Sequence, residues 1–125
     1  MYLKIGKKKI DIYDYKTTKE KIKSLRFVLE KLDYGIRKKS KHANTYMFCQ
    51  RVDIIFTDND NKITSLHENI KSEKIFFDFN ATYIYYLPIN TIKNLKDKKE
   101  LKIKEKKILN IYFFISYLYK IKFFQ

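Results

Sequence analysis

The segment between residues 52 and 67 constrains the fold of this 125-residue chain more than any other. Val52–Thr57 consists mainly of β-branched and aromatic residues, which are typical of a buried strand. The polar tetrad DNDN follows at residues 58–61, and Asn and Asp tolerate left-handed backbone and hydrogen-bond their own turns. Lys62–His67 then returns as a partner strand. The sequence therefore predicts a β-hairpin at the centre of the domain.

One carboxylate, Asp53, interrupts the apolar strand. Because side chains alternate along a strand, Asp53 lies on the face opposite Val52, Ile54 and Phe56. In a structural interpretation its carboxylate accepts hydrogen bonds from backbone amides or from Thr45 and so ties two strands together. In a functional interpretation it lies at the floor of a ligand pocket. We favour the structural interpretation because the sequence places no second acid, base or nucleophile beside it.

Five further segments have strand character and are separated by turn residues: Tyr2–Ile5, Ile10–Tyr15, Thr45–Cys49, Ile75–Phe79 and Thr82–Leu87. The last two are dense in Phe and Tyr. Aromatic side chains on an exposed sheet can stack on bases. We favour a core role for them, because they can fill a core that is poor in Leu and Val.

A capping box predicts one helix over about residues 17–33. Thr17 is followed three residues later by Glu20, so each side chain can satisfy a free amide of the first turn. Gly35 is interpreted as the stop, and Arg37–Lys41 as a basic loop. One apolar stripe recurs at helical spacing, at Ile22, Leu25, Val28, Leu29 and Leu32. We therefore expect a β-dominated α+β fold, with this helix over a small, strongly curved sheet or β-barrel-like domain.

The end of the chain is apolar over a short stretch. Ile108–Tyr119 carries no charge, but twelve residues form a helix of about 18 Å, well short of the roughly 30 Å hydrocarbon core of a bilayer. A core element, a self-association contact through 108–119 and an interfacial helix are all open, and we favour the first. We expect one β-rich domain at 1–103, with 104–125 as an extension that packs on it.

The net charge of +14 is concentrated at the two ends of the chain. Residues 1–41 carry 14 basic and 5 acidic side chains, and residues 93–125 carry 10 and 3. Lysines gain affinity for nucleic acid by displacing counterions, so a basic surface is a candidate at Lys7, Lys8, Lys9, Lys38, Lys39 and Lys41. AT-rich codons would give the same excess of Lys, Ile, Asn, Tyr and Phe, and with three arginines we favour that explanation.

Few side chains suggest chemistry. A single Cys49 excludes an internal disulfide and a Cys-based zinc cluster, and we interpret it as a buried strand thiol rather than a nucleophile paired with His42 or His67. The DNDN tetrad lacks the glycine and distal glutamate of a calcium loop. Two scattered histidines rarely form a metal site with Asp53, so no metal or cofactor is expected. Met1–Ile12 is charged throughout, which indicates no secretory signal and a cytoplasmic location.

Three blocks of the chain, over about residues 10–92, resemble the family filed as domain of unknown function 192. The block EKIKSL at residues 20–25 resembles the family pattern E-R-x-x-G-L. NTYMFCQRVDIIFTD at residues 44–58 resembles the signature H-T-x-x-M-x-x-x-I-D-x-x-F-x-D, with Asp53 at its aspartate. ATYIYYLPINT at residues 81–91 resembles the strand that ends in L-E-L-P-A-G-T. The resemblance implies a compact β-barrel-like fold with a helix.

The chain departs from these family patterns at several positions. Ser24 and Asn90 replace glycines, Asn44 replaces the histidine, and Tyr86 replaces a glutamate. An activity that rests on that histidine or glutamate would be absent here. We therefore expect a non-enzymatic binding or accessory protein, with a ligand or peptide pocket at Asn44, Thr45 and Asp53. Nucleic-acid binding through the basic ends is the alternative, and a small hydrolase or metal-assisted enzyme is a second one.

Overall fold

A computed structural model of the chain describes residues 1–104. Nine strands and two short helices follow one another along these residues. Their bounds are β1 Tyr2–Ile5, β2 Lys8–Tyr15, α1 Thr18–Lys23, β3 Gly35–Lys39, β4 His42–Asn44, β5 Val52–Thr57, β6 Ile63–Ile70, β7 Ile75–Phe77, β8 Tyr83–Leu87, α2 Thr91–Asn94 and β9 Ile103–Lys104.

Seven of the strands form one strongly curled sheet in the order β6-β5-β8-β3-β2-β1-β9. The pair β2–β3 is parallel, and the other five neighbouring pairs are antiparallel. Strands β4 and β7 pair with each other in a separate two-stranded sheet. The prediction of a β-dominated α+β fold with a strongly curved sheet is confirmed.

Strand β5 lies inside the sheet and is buried along its whole length. Val52, Ile54 and Phe56 belong to one apolar cluster, which includes Leu25, Leu32 and Ile36. Ile55 belongs to a second cluster, on the other face, with Leu3, Ile10 and Ile12. The predicted division of the strand into two faces is therefore confirmed, and β5 is apolar on both because the curled sheet packs against a core on each side.

The predicted hairpin is present as β5 and β6. The side chain of Asp58 organises the turn, since its Oδ1 accepts hydrogen bonds from the amides of Asp60 at 2.9 Å and Lys62 at 3.0 Å. Asn61 has a φ of +61°, a conformation that Asn tolerates better than most residues. The DNDN tetrad thus acts as turn residues, as predicted.

The predicted helix over 17–33 is wrong in length. The capping box is present, because the amide of Glu20 donates to Thr17 Oγ1 at 3.1 Å while the amide of Thr17 donates to Glu20 Oε1 at 3.2 Å. The helix nevertheless ends after Lys23, and Ser24 has a φ of +44°. Leu29, at one position of the expected stripe, is 84% exposed. Leu25 and Leu32 do reach the core, but both follow the end of α1 and lie in an irregular segment, not on one face of a helix.

Gly35 is not a helix stop but the first residue of β3. A Cβ at this position would lie 2.6 Å from Leu87 Cδ2 and 2.7 Å from Ile12 Cδ1. The glycine therefore allows close packing of neighbouring strands. The predicted basic loop at Arg37–Lys41 is largely β3, where Arg37 donates to both carboxylate oxygens of Asp14 on the adjacent strand, at 2.8 and 3.2 Å.

The predicted strand Thr45–Cys49 is also wrong. The strand lies earlier, at His42–Asn44, and Met47 has a φ of +62°, which is incompatible with extended backbone. Predictions for the apolar end, including self-association through 108–119, fall on residues 105–125, outside the described residues. Only Lys104 of the expected extension is described, and it pairs with Tyr2 across β9 and β1. Within residues 1–104, no helix has the length and apolar character needed to cross a membrane.

Candidate functional site

The carboxylate of Asp53 joins three elements of the fold. The side chain is 1% exposed. The amide of Asn69 on β6 donates to its Oδ1 at 2.8 Å, and the amide of Ile92 in α2 donates to its Oδ2 at 2.9 Å. The structural interpretation that backbone amides hold Asp53 therefore agrees with the observed geometry.

The bond to Asn69 follows from an irregularity in the hairpin. The register of β5 against β6 shifts between Val52 and Ile54, so that two residues of β6 lie opposite Asp53 alone. Such a β-bulge leaves one residue without a ladder partner. Asn69, one of the two, has a φ of +52°. The carboxylate of Asp53 accepts from the amide of Asn69 within this bulge.

The bond to Ile92 replaces a local helix cap. Asn90 occupies the N-cap position of α2 with a φ of +70°, and its side chain makes no capping hydrogen bond. The amides of the first helical turn have no partner within the helix. Asp53 supplies an acceptor to one of them from 39 residues away in the sequence. The position of α2 thus depends on β5.

Burial and hydrogen bonding act in opposite directions on this carboxyl group. Burial raises the pKa of Asp53 above its ordinary value of 3.8, and the nearby Glu68 adds to the rise. The amides of Asn69 and Ile92 offset part of it. The group is held by dipoles of the backbone rather than by a cation.

The three predicted pocket residues do not form one cluster. Thr45 Oγ1 donates to the carbonyl of Lys71 at 2.7 Å and accepts from the amide of Lys74 at 3.0 Å, so it orders the β6–β7 connection instead of contacting Asp53. The backbone of Asn44 both donates to and accepts from the hydroxyl of Tyr86, at 3.0 Å in each case. Three cavities in the described part of the chain are lined by other residues.

A cleft of about 570 Å³ lies next to the Asp53 bonds. It is within the size range of small-molecule sites in proteins. Its walls are residues 31–33, residues 50–51, residues 88–91 with Asn94, and the β1–β2 side chains Ile5, Lys8 and Ile10. The 88–91 wall leads directly into Ile92, whose amide Asp53 holds.

The other wall of the cleft is fixed by Gln50. Its Nε2 donates to the carbonyls of Val28 at 3.2 Å and Glu30 at 2.7 Å, and its Oε1 accepts from the amide of Leu32 at 3.1 Å. Thr91 Oγ1 donates to the carbonyl of Pro88 at 2.7 Å and closes the opposite turn. Both walls are therefore held by side-chain hydrogen bonds, which favours a preformed site.

The lining combines positive charge with apolar surface. The lining includes three cations, Lys8, Lys31 and Arg51, and a single acid, Asp33. The apolar part consists of Ile5, Ile10, Leu32, Pro88 and Ile89. This arrangement fits an anion that carries an apolar group. Sequence reasoning missed the site because its walls come from four separate segments, and the only signal was the turn at Pro88–Thr91 within the third family-like block.

The predicted basic-surface residues fall into two groups. Lys7, Lys8 and Lys9 lie at the β1–β2 turn, whereas Lys39 and Lys41 lie beyond the far end of the parallel strand pair. Tyr15 pairs with Lys38, and the seven residue-to-residue steps from Lys8 to Tyr15 extend over about 23 Å of strand. The two groups of lysines are therefore at opposite ends of this strand pair. Lys38 itself is 4% exposed and is not part of a surface.

The remaining candidates are dispersed. Cys49 is exposed and outside a strand, which corrects the expectation of a buried strand thiol. His42 is exposed, and His67 stacks on Phe76 with ring centroids 4.1 Å apart on the edge strand β6. Within residues 1–104, no group of three His, Cys, Asp or Glu side chains could hold a metal ion. Tyr85 and Tyr86 are buried as predicted, but Phe77 and Phe79 are exposed.

Comparison with known proteins identifies relatives of the fold alone. No family model and no curated protein matches the chain. Among solved structures, a protein from Sinorhizobium meliloti 1021, described as a "putative transcription regulator", superposes with a TM-score of 0.67 at 15% identity and covers 81% of this chain and 89% of its own. A protein of unknown function from Novosphingobium aromaticivorans DSM 12444 gives 0.68 at 15% identity, covering 83% and 82%. The curled-sheet α+β fold is thus shared with these two bacterial proteins.

Replacing Asp53 with alanine leaves the amides of Asn69 and Ile92 buried without an acceptor. We expect Asp53→Ala to lower the free energy of unfolding at neutral pH by about 2–3 kcal/mol, since each unsatisfied buried group costs about 1–3 kcal/mol and the lost burial of a charge offsets part of this. Urea denaturation measures the loss. Asp60→Ala, in the exposed hairpin turn, is the matched control and should change stability by less than about 0.5 kcal/mol.

The difference in unfolding free energy between wild type and Asp53→Ala should also depend on pH. Because the pKa of Asp53 is raised in the folded state, its protonation favours folding. This contribution is complete below pH 3.8 and is lost as the pH rises through the raised folded-state pKa. The stability difference between wild type and Asp53→Ala should therefore be largest at acidic pH and decline to its neutral-pH value. A difference that grows with rising pH would contradict this assignment.

Proposed function

We propose that this chain is a small binding protein that holds an amphipathic anion in the cleft beside Asp53. The observation that carries the proposal is the lining itself, which combines Lys8, Lys31 and Arg51 with apolar side chains and includes one acid, Asp33. The walls are fixed by Gln50 and Asp53, so little ordering is required when a ligand enters. The polar groups of the site serve to orient a ligand.

A fatty-acid-like probe tests this function. Octanoate carries one carboxylate and an apolar tail, and octanamide is its uncharged counterpart of the same size. We expect calorimetry to show that octanoate binds more tightly than octanamide, and that the double variant Lys31→Gln/Arg51→Gln loses at least about tenfold of the octanoate affinity.

The control for this experiment lies on the helix that borders the cleft. Lys93 is exposed on α2 and is not among the lining residues, so Lys93→Gln should leave octanoate affinity unchanged. Equal affinity for the two probes, or equal losses in both variants, would mean that the cations of the cleft do not select the ligand.

We also propose that the chain is a divergent member of the domain of unknown function 192 family. Two of its departures from the family pattern support this alignment. Ser24 and Asn90 stand at family glycines, and both have positive φ, at +44° and +70°. Glycine adopts this backbone without strain. Sequences that are intermediate in similarity between this chain and typical members of the family should carry glycine at both positions. Other residues at these positions would count against membership.

A second candidate function is nucleic-acid binding, favoured by the pairing of the two basic ends. Strands β1 and β9 are neighbours, with Tyr2 opposite Lys104 and Leu3 opposite Ile103. Nine lysines are exposed in residues 1–9 and 95–104: Lys4, Lys7, Lys8, Lys9, Lys96, Lys98, Lys99, Lys102 and Lys104. Asp97 and Glu100 are the acids of these two segments. This sheet edge is therefore strongly positive.

A salt series on labelled single- and double-stranded DNA and RNA tests the second candidate. Each lysine that contacts a phosphate contributes close to one unit to the slope of log affinity against log salt concentration. We expect Lys4→Glu/Lys102→Glu to reduce the slope by about two. Lys19→Glu/Lys23→Glu, on exposed positions of α1, is the control. Weak binding with a flat slope would exclude this edge as a nucleic-acid surface.

A further inference from the structure

The two-stranded sheet of β4 and β7 carries a series of aromatic rings. His42 and Phe77 lie opposite each other across the strand pair, and their ring centroids are 6.0 Å apart. Phe79 follows two residues later and stacks on Phe77, with a centroid distance of 6.4 Å and an angle of 18° between the ring planes. These three rings are called the aromatic row below.

The aromatic row lies at the surface, although the neighbouring residues of the same two strands reach the core. Ala43 belongs to one of the core clusters, and Phe76 packs against it. By contrast, Phe77 is 61% exposed and Phe79 is 78% exposed, so the core role favoured from the sequence does not apply to them. Single exposed apolar residues are ordinary in folded proteins, whereas adjoining exposed rings indicate an interaction surface.

A polar cavity of about 480 Å³ adjoins the aromatic row. Its lining is Lys39, Ser40, Lys41, Asn59, Ala81 and Thr82. Lys41 connects the cavity to the row, because its Nζ donates to the carbonyl of Phe79 at 3.0 Å and to that of Ala81 at 2.9 Å. The amide of Asp78 donates to the carbonyl of Lys41 at 2.9 Å. The cavity and the row are therefore neighbouring parts of one surface.

The polar cavity is positively charged. Two ammonium groups, those of Lys39 and Lys41, line it, and no carboxylate does. An ammonium has three N–H donors, so the two carbonyl bonds of Lys41 leave it one donor and its full charge. Lys39 is exposed. Both side chains can therefore interact with an anionic ligand.

Most of the nearby acids are occupied by hydrogen bonds. Asp78 lies between the two phenylalanines of the row, and its Oδ2 accepts from Thr64 Oγ1 at 2.7 Å and from Ser65 Oγ. Asp58 Oδ1 accepts from two amides of the hairpin turn. Asp60 is an exposed acid next to the lining residue Asn59 in sequence. The surface thus combines exposed rings with an excess of positive charge.

We propose that the aromatic row and the polar cavity together bind single-stranded nucleic acid, with bases stacked on the rings and a backbone phosphate at the lysines. Stacking on aromatic side chains requires an unpaired base and tolerates any base type, and lysines neutralise phosphates. Several adjoining rings suit successive bases of one strand. A second copy of the chain fits less well, because each copy carries a net charge of +14.

This surface is separate from the two sites proposed above. None of its residues lines the cleft beside Asp53, and β4 and β7 are not part of the seven-stranded sheet that ends at β1 and β9. The inference therefore goes beyond the anion cleft. It also does not depend on the β1–β9 edge, which would attract phosphates without selecting unpaired bases.

Fluorescence anisotropy with a labelled oligothymidylate of about ten nucleotides tests the proposal. At about 50 mM salt we expect the single strand to bind at least about fivefold more tightly than a duplex of equal length, since paired bases cannot stack on the row. Phe77→Leu/Phe79→Leu keeps the surface apolar but removes two rings. It should raise the dissociation constant for the single strand at least about tenfold.

The matched control is Phe27→Leu. Phe27 is 70% exposed and lies outside the aromatic row, so its loss should change the dissociation constant less than about twofold. Lys39→Gln gives an independent test, because it should lower the slope of log affinity against log salt concentration by about 0.7. Poor folding of one test variant would leave the other to decide.

Four results would overturn the proposal. The first is no binding of the single strand, and the second is equal affinity for single strand and duplex. The third is the same dissociation constant in Phe77→Leu/Phe79→Leu and Phe27→Leu; weaker binding in Lys4→Glu/Lys102→Glu alone would then assign the nucleic acid to the β1–β9 edge. The fourth comes from sedimentation velocity of the free protein: dimers of wild type that are absent in Phe77→Ser/Phe79→Ser would assign the row to a second copy.

Discussion

The burial of β5 on both faces is the constraint on which the rest of the structure depends. A strand in this position must be apolar, yet Asp53 puts a carboxylate into it. Because a buried carboxylate without hydrogen bonds is costly, the neighbouring backbone has to supply donors. A bulge in β6 supplies the amide of Asn69, and the uncapped first turn of α2 supplies that of Ile92. Asp53 thereby ties β6 and α2 to β5 by hydrogen bonds that the apolar side chains of the strand could not make.

The cleft is a consequence of this arrangement. Its 88–91 wall is continuous with the helix that Asp53 holds, and its 31–33 wall is held by Gln50 from the segment just before β5. Asp53 does not line the cleft itself, but it holds the helix that continues one of the walls. Exposed lysines lie at the cleft and along the β1–β9 edge, with Lys8 common to both, whereas Lys38 is buried. Net charge alone could not distinguish these environments.

Local sequence patterns predicted what local interactions determine. The hairpin at β5 and β6, its Asp58 turn, the capping box at Thr17 and the two faces of β5 all depend on residues close in sequence. The length of α1 depends on residues that are distant in sequence, because the segment after Ser24 packs against Gln50 and Phe48. Arg37–Lys41 has the polar composition of a loop, whereas β3 is held in the sheet by partners on β2 and β8, which are distant in sequence. The cleft could not be predicted, since its walls come from segments far apart in the chain.

Hydrogen exchange at two backbone amides tests the central claim most directly. If the carboxylate of Asp53 holds β6 and α2, the amides of Asn69 and Ile92 should be protected in the wild-type protein. In Asp53→Ala their protection should fall by at least about tenfold more than that of Ile54, which lies in the ladder between β5 and its neighbours. Rapid exchange of Ile92 in the wild type, or an equal loss of protection at all three amides, would contradict the account.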